Sequence, residues 1–240
     1  MKKIKGFGEW VYVLGMILLP LGVTMMEKAD LGISMVVAPA YLLSLKIDFL
    51  TFGMAEYLLQ GVLLGAFCLL MGKFRWTYLL SFVTAFLYGW ILDGWMLLFA
   101  PVNAAAWGVR IGLYLGGMLV CSLGISLFFH TYLPPEVYEL FVRELSKKYG
   151  KNINRFKIGY DCVSCAAAVA LSLLFFGDIR GVWFGTVLCA LINGRIIGLC
   201  STLLERWIDF SPRLSWSRYF GAVQLEPVKP EESACVPRDR

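Results

Sequence analysis

Few ionisable residues interrupt the long apolar stretches of this 240-residue chain. They are Glu56, Asp93, His130, Asp161 and Arg195. An ionised side chain in the hydrocarbon core of a membrane costs a few kcal/mol, so each of these residues is a candidate for function. The same stretches hold three neutral polar residues that could orient a ligand by hydrogen bonds, namely Gln60, Asn103 and Asn193.

Asp161 and Arg195 are predicted to lie at similar depths. With about 1.5 Å of rise per residue, Asp161 lies roughly 8 Å from the expected cytoplasmic end of its helix. Arg195 lies roughly 14 Å from the cytoplasmic end of its own helix. An arginine side chain can bridge that difference, so the spacing indicates a structural or gating ion pair. The alternative is that each side chain snorkels or lines water separately.

Glu56 and Asp93 are predicted to lie near the opposite face, roughly 6–9 Å below it by the same helical rise. We interpret them as walls of an outward vestibule, with simple interfacial solvation as the alternative. His130 is the only histidine. It is expected to be solvated at the border of its span, and a proton relay is the alternative.

Cys162 and Cys165 have the CxxC spacing, which places both sulfurs on one helical face. They lie among alanines inside an apolar run, without a second cysteine pair. Close packing of small residues against a neighbouring helix is therefore the preferred interpretation. A redox or metal role is left open.

The elements that carry these residues are six apolar runs. Hydrophobic residues make up 59% of the chain and charged residues 16%, against roughly a quarter charged in soluble domains. A helix needs roughly 17–25 apolar residues to cross a membrane. Runs of that length lie near 8–26, 53–71, 76–99, 108–129, 156–176 and 182–204. We predict an all-α membrane protein with a single transmembrane domain over residues 1–205 and the lipid bilayer, not nucleic acid, as its partner.

The distribution of Lys and Arg predicts the orientation. If the N-terminus is cytoplasmic, 17 Lys and Arg lie inside and 4 outside. Cytoplasmic segments carry the excess of these residues, so both termini are predicted to be cytoplasmic. Residues 206–240 combine charges with four prolines and are predicted to form a cytosolic, largely disordered tail.

An internal repeat relates the two halves of the chain. A shift of 102 residues superposes Leu21-Gly22 on Leu123-Gly124, and a shift of 105 superposes Gly89 on Gly194. Repeat one covers about 10–100 and repeat two about 108–204. Three spans in each copy require opposite orientations, as in the inverted repeats of many transporters. Chance similarity of apolar helices is the alternative.

Each repeat has an extra segment after its first span. In repeat two, Pro134-Pro135-Glu136 begins a helix over 135–149 that is predicted to lie flat on the cytoplasmic surface. In repeat one, residues 30–44 are predicted to form an apolar half-helix that dips into the outer leaflet. Ser34 is its expected N-cap and Pro39 its expected break.

Several short motifs resemble those of a known family. They are Ala29-Asp30-Leu31-Gly32-Ile33-Ser34 with Tyr41 and Leu43-Ser44, Phe156-Lys157-Ile158-Gly159-Tyr160-Asp161, and Gly181-Val182-Trp183-Phe184-Gly185-Thr186 leading to Asn193-Gly194. Over roughly residues 10–205 the chain resembles the YczE/YyaS/YitT family of bacterial integral membrane proteins. The resemblance implies a bacterial plasma-membrane protein of two related halves, for which transport is usually supposed. The chain departs from the pattern at Leu133-Pro134-Pro135-Glu136, which replaces the glycine-rich loop of the first copy.

These observations favour a permease for an unidentified small solute, with a binding site where the repeats meet. The candidate binding residues are Arg195, Asp161, Asn193, Gln60, Asp93, Glu56 and Ser34. Arg195 would bind an anionic group, and the Ser34 half-helix would gate the site from outside. The alternative is a partner-binding membrane subunit or a regulator, for example the substrate-binding component of a transporter that works with a membrane or ATPase chain. A homodimer is also considered. The sequence has no catalytic, phosphate-loop or zinc motif, so we predict no enzyme activity and no cofactor.

Overall fold

The structure is a computed structural model that describes residues 4–72, 76–102, 104–131, 133–150 and 153–211. These residues form eight helices: α1 Gly8–Ala29, α2 Ala38–Lys46, α3 Phe52–Met71, α4 Trp76–Leu98, α5 Trp107–Phe129, α6 Val137–Lys148, α7 Ile153–Phe176 and α8 Phe184–Trp207. Two four-residue strands, β1 Ile4–Phe7 and β2 Ile208–Ser211, pair in parallel. Asn103 and residues 212–240 of the predicted tail lie outside the described residues.

Six of the helices are long and apolar enough to cross a membrane: α1, α3, α4, α5, α7 and α8. Their bounds agree with the predicted runs to within three residues. The prediction of a six-span, all-α membrane protein is therefore confirmed. The bounds were predictable because continuous apolar runs are interrupted by short polar turns, where the spans end.

Contacts between helix ends fix the directions of the spans. Arg110 at the start of α5 forms an ion pair of 2.9 Å with Asp30, which follows α1. His130 after α5 lies 3.2 Å from Glu205 in the last turn of α8. α1 and α5 therefore run in opposite directions, and α5 and α8 end on the same side. The pairing of β1 with β2 places both ends of the described chain on that side as well.

The crossing of α1 and α5 is the most extensive helix–helix contact. Glycines bring the two backbones together: a Cβ on Gly22 would lie 2.6 Å from the carbonyl oxygen of Gly117, and one on Gly15 would lie 3.2 Å from that of Gly124. The 102-residue shift maps Gly15 onto Gly117 and Gly22 onto Gly124. The two glycine contacts are thus equivalent under that shift.

The short helices α2 and α6 also occupy equivalent places, since each packs against both α3 and α7. Lys46 at the end of α2 donates to the carbonyl oxygen of Phe175 at 3.5 Å, and Lys148 at the end of α6 donates to that of Leu70 at 2.7 Å. The 102-residue shift maps Lys46 onto Lys148, and the 105-residue shift maps Leu70 onto Phe175. The two hydrogen bonds are therefore equivalent under the shifts. The equivalence is incomplete elsewhere, because α3 packs against α4 whereas α7 and α8 barely touch.

α2 begins later than predicted. Its N-cap is Val37, and Pro39 lies in the first turn. The carbonyl oxygen of Ser34 accepts a hydrogen bond from the Ala38 amide at 3.1 Å. The prediction that Ser34 caps this helix and that Pro39 breaks it is therefore wrong. Proline has a helical φ and no amide proton, so it fits the first turn and starts the helix.

α6 is a buried helix, and the prediction that it lies flat on a surface is wrong. It packs against α3, α4 and α7. Its buried side chains are Val137, Tyr138, Leu140, Val142, Leu145 and Ser146. Its start bonds to Gln60 and its last residue, Lys148, bonds to Leu70, so α6 runs alongside α3 and does not lie across a surface. Lys148, in its last turn, is exposed.

Candidate functional site

A buried polar cluster lies where the start of α6 meets α3. It consists of Glu56 and Gln60 of α3, Glu136 immediately before α6, and Tyr138 in the first turn of α6; we call these four residues the carboxylate cluster. Glu56 and Gln60 are fully buried, and Glu136 is 5% exposed. α3 belongs to the first half of the chain and α6 to the second, so both halves contribute to the cluster.

Gln60 holds the start of α6 through both ends of its amide. Its Nε2 donates to Glu136 Oε2 at 3.2 Å, and its Oε1 accepts from the Val137 amide at 3.1 Å. The first amides of a helix have no partner within the helix, so a buried helix start needs an acceptor from elsewhere. Gln60 supplies that acceptor from α3.

Glu56 and Glu136 each have one oxygen with a hydrogen-bond partner and one without. The Tyr138 hydroxyl donates to Glu56 Oε2 at 2.6 Å. Within the described part of the chain, Glu56 Oε1, Glu136 Oε1 and Glu139 Oε2 are buried without a partner. A buried ionised carboxylate without donors is strongly disfavoured. The cluster thus contains acceptors that a proton or a donor group of a ligand could satisfy.

Burial raises the pKa of Glu136 and of its neighbour Glu139, which both lie outside the membrane-spanning helices. The pKa of Glu136 is well above its usual range because of desolvation first, and then because Glu139 and Glu56 are close. The hydrogen bond from Gln60 opposes this rise. Desolvation also raises the pKa of Glu139, against the attraction of Lys157.

Polar contacts continue from the cluster toward α4 and α1. Thr84 Oγ1 lies 3.2 Å from the carbonyl oxygen of Pro134, to which it can donate, and 2.7 Å from the Tyr12 hydroxyl. Tyr88 of α4 is 1% exposed and interacts electrostatically with Glu136. The loop before α6 is therefore anchored by polar side chains of the first half.

On the α7 side, the cluster approaches a charged pair. The rings of Tyr138 and Tyr160 lie 6.3 Å apart between centroids. Lys157 Nζ lies 3.4 Å from Asp161 Oδ1 one helical turn further along, and 42% of the Lys157 side chain is exposed. Glu139 interacts with both Lys157 and Asp161. The side chains between the buried carboxyl groups and the surface therefore end at Lys157, which solvent or lipid headgroups can reach.

The predicted ion pair between Asp161 and Arg195 is not formed. Among the described residues, Asp161 pairs with Lys157, and Arg195 is exposed on α8 without an ion pair. The prediction was wrong because depth along two helices does not fix their rotation or distance, and α7 and α8 barely touch.

The other predicted site residues have contacts of their own. Asp93 accepts from the Thr51 hydroxyl at 2.6 Å and from the Gly53 amide at 2.7 Å, which ties α4 to the start of α3. Asn193 Oδ1 accepts from the Ser122 hydroxyl at 2.6 Å, which joins α8 to α5. These contacts do not include the carboxylate cluster. Roles of Asp93, Asn193, Ser34 and Arg195 in solute binding stay predictions.

The two CxxC cysteines line a shallow apolar depression on α7. Cys162 and Cys165 are free thiols. The depression has a volume of about 570 Å³ and also includes Met35, from the loop before α2. In the described part of the chain, no three His, Cys, Asp or Glu side chains are placed to share one metal ion.

Sequence reasoning identified Glu56 and Gln60 but missed Glu136, Tyr138 and Glu139. These three residues were overlooked because α6 was interpreted as a surface helix, on which acidic residues are ordinarily solvated. The sequence contains little signal that α6 is buried: at about 3.6 residues per turn, five of the six apolar residues between 137 and 145 lie within an arc of about 140°, as they would on an interfacial helix.

A family model described as a family of unknown function, DUF6198, matches residues 8–202. The chain belongs to the DUF6198 family. The DUF6198 match begins with α1, reaches the last turns of α8, and includes every residue of the carboxylate cluster. Neither a curated protein nor a solved structure matches the chain. The resemblance to the YczE/YyaS/YitT family stays a prediction.

Proposed function

We propose that the chain is a membrane permease for a small solute, with its site at the contact of two inverted repeats. The observation that carries this proposal is the carboxylate cluster. A protein that only anchors or scaffolds has no need to bury Glu56 and Glu136 with open acceptor atoms among six apolar spans. Buried ionisable groups in membrane proteins mark solute or ion pathways.

The packing supports the inverted arrangement. The helices α1 and α5, which the 102-residue shift superposes, run in opposite directions. The same shift maps the contact of Gly15 with Gly124 onto that of Gly117 with Gly22. The lysine contacts at the ends of α2 and α6 exchange in the same way. Transporters of inverted repeats alternate access around a site between the copies.

The position of α6 supports a binding role for the cluster. Half-helices in transporters bring their ends to the solute or ion site, where backbone irregularity is tolerated because it lines a cavity or is buried in protein. Here the buried start of α6 lies at Gln60 and Glu136. The excess of acceptors favours a solute with a positive charge or several hydrogen-bond donors, whereas the exposed Arg195 is not available to the cluster.

We place the protein in a bacterial plasma membrane with both termini in the cytoplasm. The 17-to-4 division of Lys and Arg supports this orientation. The pairing of β1 with β2 agrees with termini on one side.

The test is uptake by the purified full chain in proteoliposomes, with a panel of small cationic, zwitterionic and anionic solutes. We expect protein-dependent uptake of a cationic or zwitterionic solute, reduced at least tenfold by Glu56→Gln and unchanged by Asp48→Asn, which alters an exposed loop carboxylate. Uptake that Glu56→Gln and Glu136→Gln leave unchanged would place the solute site elsewhere. Absence of uptake across the panel by folded protein would oppose the transporter proposal.

A further inference from the structure

We propose that the carboxylate cluster is a proton-binding site and that its proton is the coupling ion of transport. The coupling role rests on the proposed function, whereas proton binding does not. Glu56 and Glu136 each bury one oxygen without a hydrogen-bond partner in the described structure. In the described structure, the Tyr138 hydroxyl and the Gln60 amide donate to the other oxygen of each carboxyl group.

A proton on either carboxyl group removes the principal cost of this arrangement. Neutral carboxyl groups are far less costly to bury than carboxylates. Two carboxylates that interact in a buried site do not both ionise readily, so proton binding to one changes the affinity of the other. The pair therefore titrates as a unit whose total charge is set by proton occupancy.

Burial and the acidic groups around Glu136 favour its protonated form, and the hydrogen bond from Gln60 opposes them. The groups that face Glu136 or interact with it are Glu56 and Gln60 of α3, Tyr138 and Glu139 of α6, Tyr88 of α4, Tyr12 of α1 and Cys121 of α5. None of these groups is a cation, among the side chains that the structure describes. On α7, Lys157 acts on Glu139 but lies against Asp161 at 3.4 Å. Burial and the neighbouring carboxylates raise the pKa of Glu136, in agreement with the geometry.

Proton occupancy would act on the position of α6. Gln60 bonds both Glu136 and the Val137 amide, so α3 and the first turn of α6 are joined at this point. Ionisation of both carboxyl groups adds repulsion across the same contact. Loss of the proton is therefore expected to loosen the start of α6 from α3, which couples occupancy to the packing of a half-helix.

The first test is infrared difference spectroscopy of the purified full chain, titrated from acidic to alkaline pH. The probe is the proton itself, read from the C=O stretch of the protonated carboxyl group. We expect a band from a protonated carboxyl that persists at neutral pH and is lost or strongly reduced in Glu136→Gln, while Asp48→Asn retains it. Absence of the band at neutral pH in the wild type, or its full retention in both Glu136→Gln and Glu56→Gln, would overturn the proposal.

A second variant keeps the proposal testable if Glu136→Gln does not fold. Gln60→Met removes the donor that stabilises the ionised form of Glu136, so the midpoint of the carboxyl band should move up by about one to two pH units. A midpoint that stays in place or moves down would contradict the assignment. Because the titration needs no transport, uptake without a protonated carboxyl would overturn only the proton site. A protonated cluster without uptake of any solute would instead oppose the proposed function.

The pH dependence of stability provides an independent measurement. The pKa of Glu136 is raised on folding, so the folded state binds more protons than the unfolded state between the usual carboxyl pKa and the raised one. The free energy of unfolding should therefore fall as the pH rises through this interval. Glu136→Gln should flatten the dependence and Asp48→Asn should not; a wild-type stability that rises with pH in this interval would oppose the site.

Discussion

The close crossing of α1 and α5 predicts a large effect of a single methyl group at Gly22. A Cβ there would lie 2.5 Å from the Cys121 amide nitrogen, 2.6 Å from the carbonyl oxygen of Gly117 and 2.8 Å from the Cys121 Cα. All three atoms are backbone, so no side-chain rotation can relieve the clash and the helices must separate. Forced overpacking costs about 1–3 kcal/mol.

The net effect is smaller, because alanine is a better helix former than glycine by up to about 1 kcal/mol. We expect Gly22→Ala to destabilise the protein by about 1–2 kcal/mol. Gly112→Ala in α5 is the matched control, since a Cβ at Gly112 would meet no atom within 4 Å. It should be neutral or stabilising by up to about 1 kcal/mol.

Both variants can be measured by reversible unfolding of the detergent-solubilised protein, followed by tryptophan fluorescence. Gly22→Ala should unfold at clearly lower denaturant than the wild type, and Gly112→Ala at the same or higher denaturant. If the two substitutions have equal effects, the helices do not approach at Gly22 as described, and the glycine-based account of the α1–α5 crossing is refuted.

Three further predictions concern the site, the start of α3 and the orientation. Tyr138→Phe removes the hydroxyl donor of a buried carboxylate, Glu56, and should destabilise the protein by about 1–3 kcal/mol in the same unfolding assay, whereas Tyr149→Phe, at an exposed ring, should change little. Asp93→Ala removes the acceptor of two hydrogen bonds at the start of α3 and should lower the free energy of unfolding by about 1–2 kcal/mol. A decrease of less than about 0.5 kcal/mol would mean that these bonds contribute no net stability. In intact cells of a cysteine-free background, Asp48→Cys should react with an impermeant thiol reagent and Tyr149→Cys should not; the reverse pattern would invert the proposed orientation.

The spans were predictable because each depends on local composition alone. A run such as 53–71 has the length and hydropathy that a membrane requires, and its bounds follow from the polar turns beside it. The repeat stays a prediction, and the packing agrees with it at one point: Gly22 and Gly124, which the 102-residue shift superposes, both lie at the α1–α5 crossing.

The site was predicted only in part because it depends on contacts between distant segments. Glu56 and Gln60 were identified since a polar residue in an apolar span stands out. Glu136 lies beside Gln60 only because the segment after α5 turns back into the bundle, and local composition does not specify that turn. The predicted pairing of Asp161 with Arg195 was wrong for the same reason, since similar depth gives no information on which helices are neighbours.

The strand pair has a consequence for biosynthesis. Ile4 pairs with Ile208, so β1 is translated about 200 residues before its partner. At roughly 5–20 residues per second, β1 waits about 10–40 s for β2. The two strands can pair only after the ribosome has synthesised the whole of α8. A chain in which β1 and β2 are paired therefore contains all six spans. A stalled or truncated chain would leave β1 as an unpaired edge, available to other nascent strands.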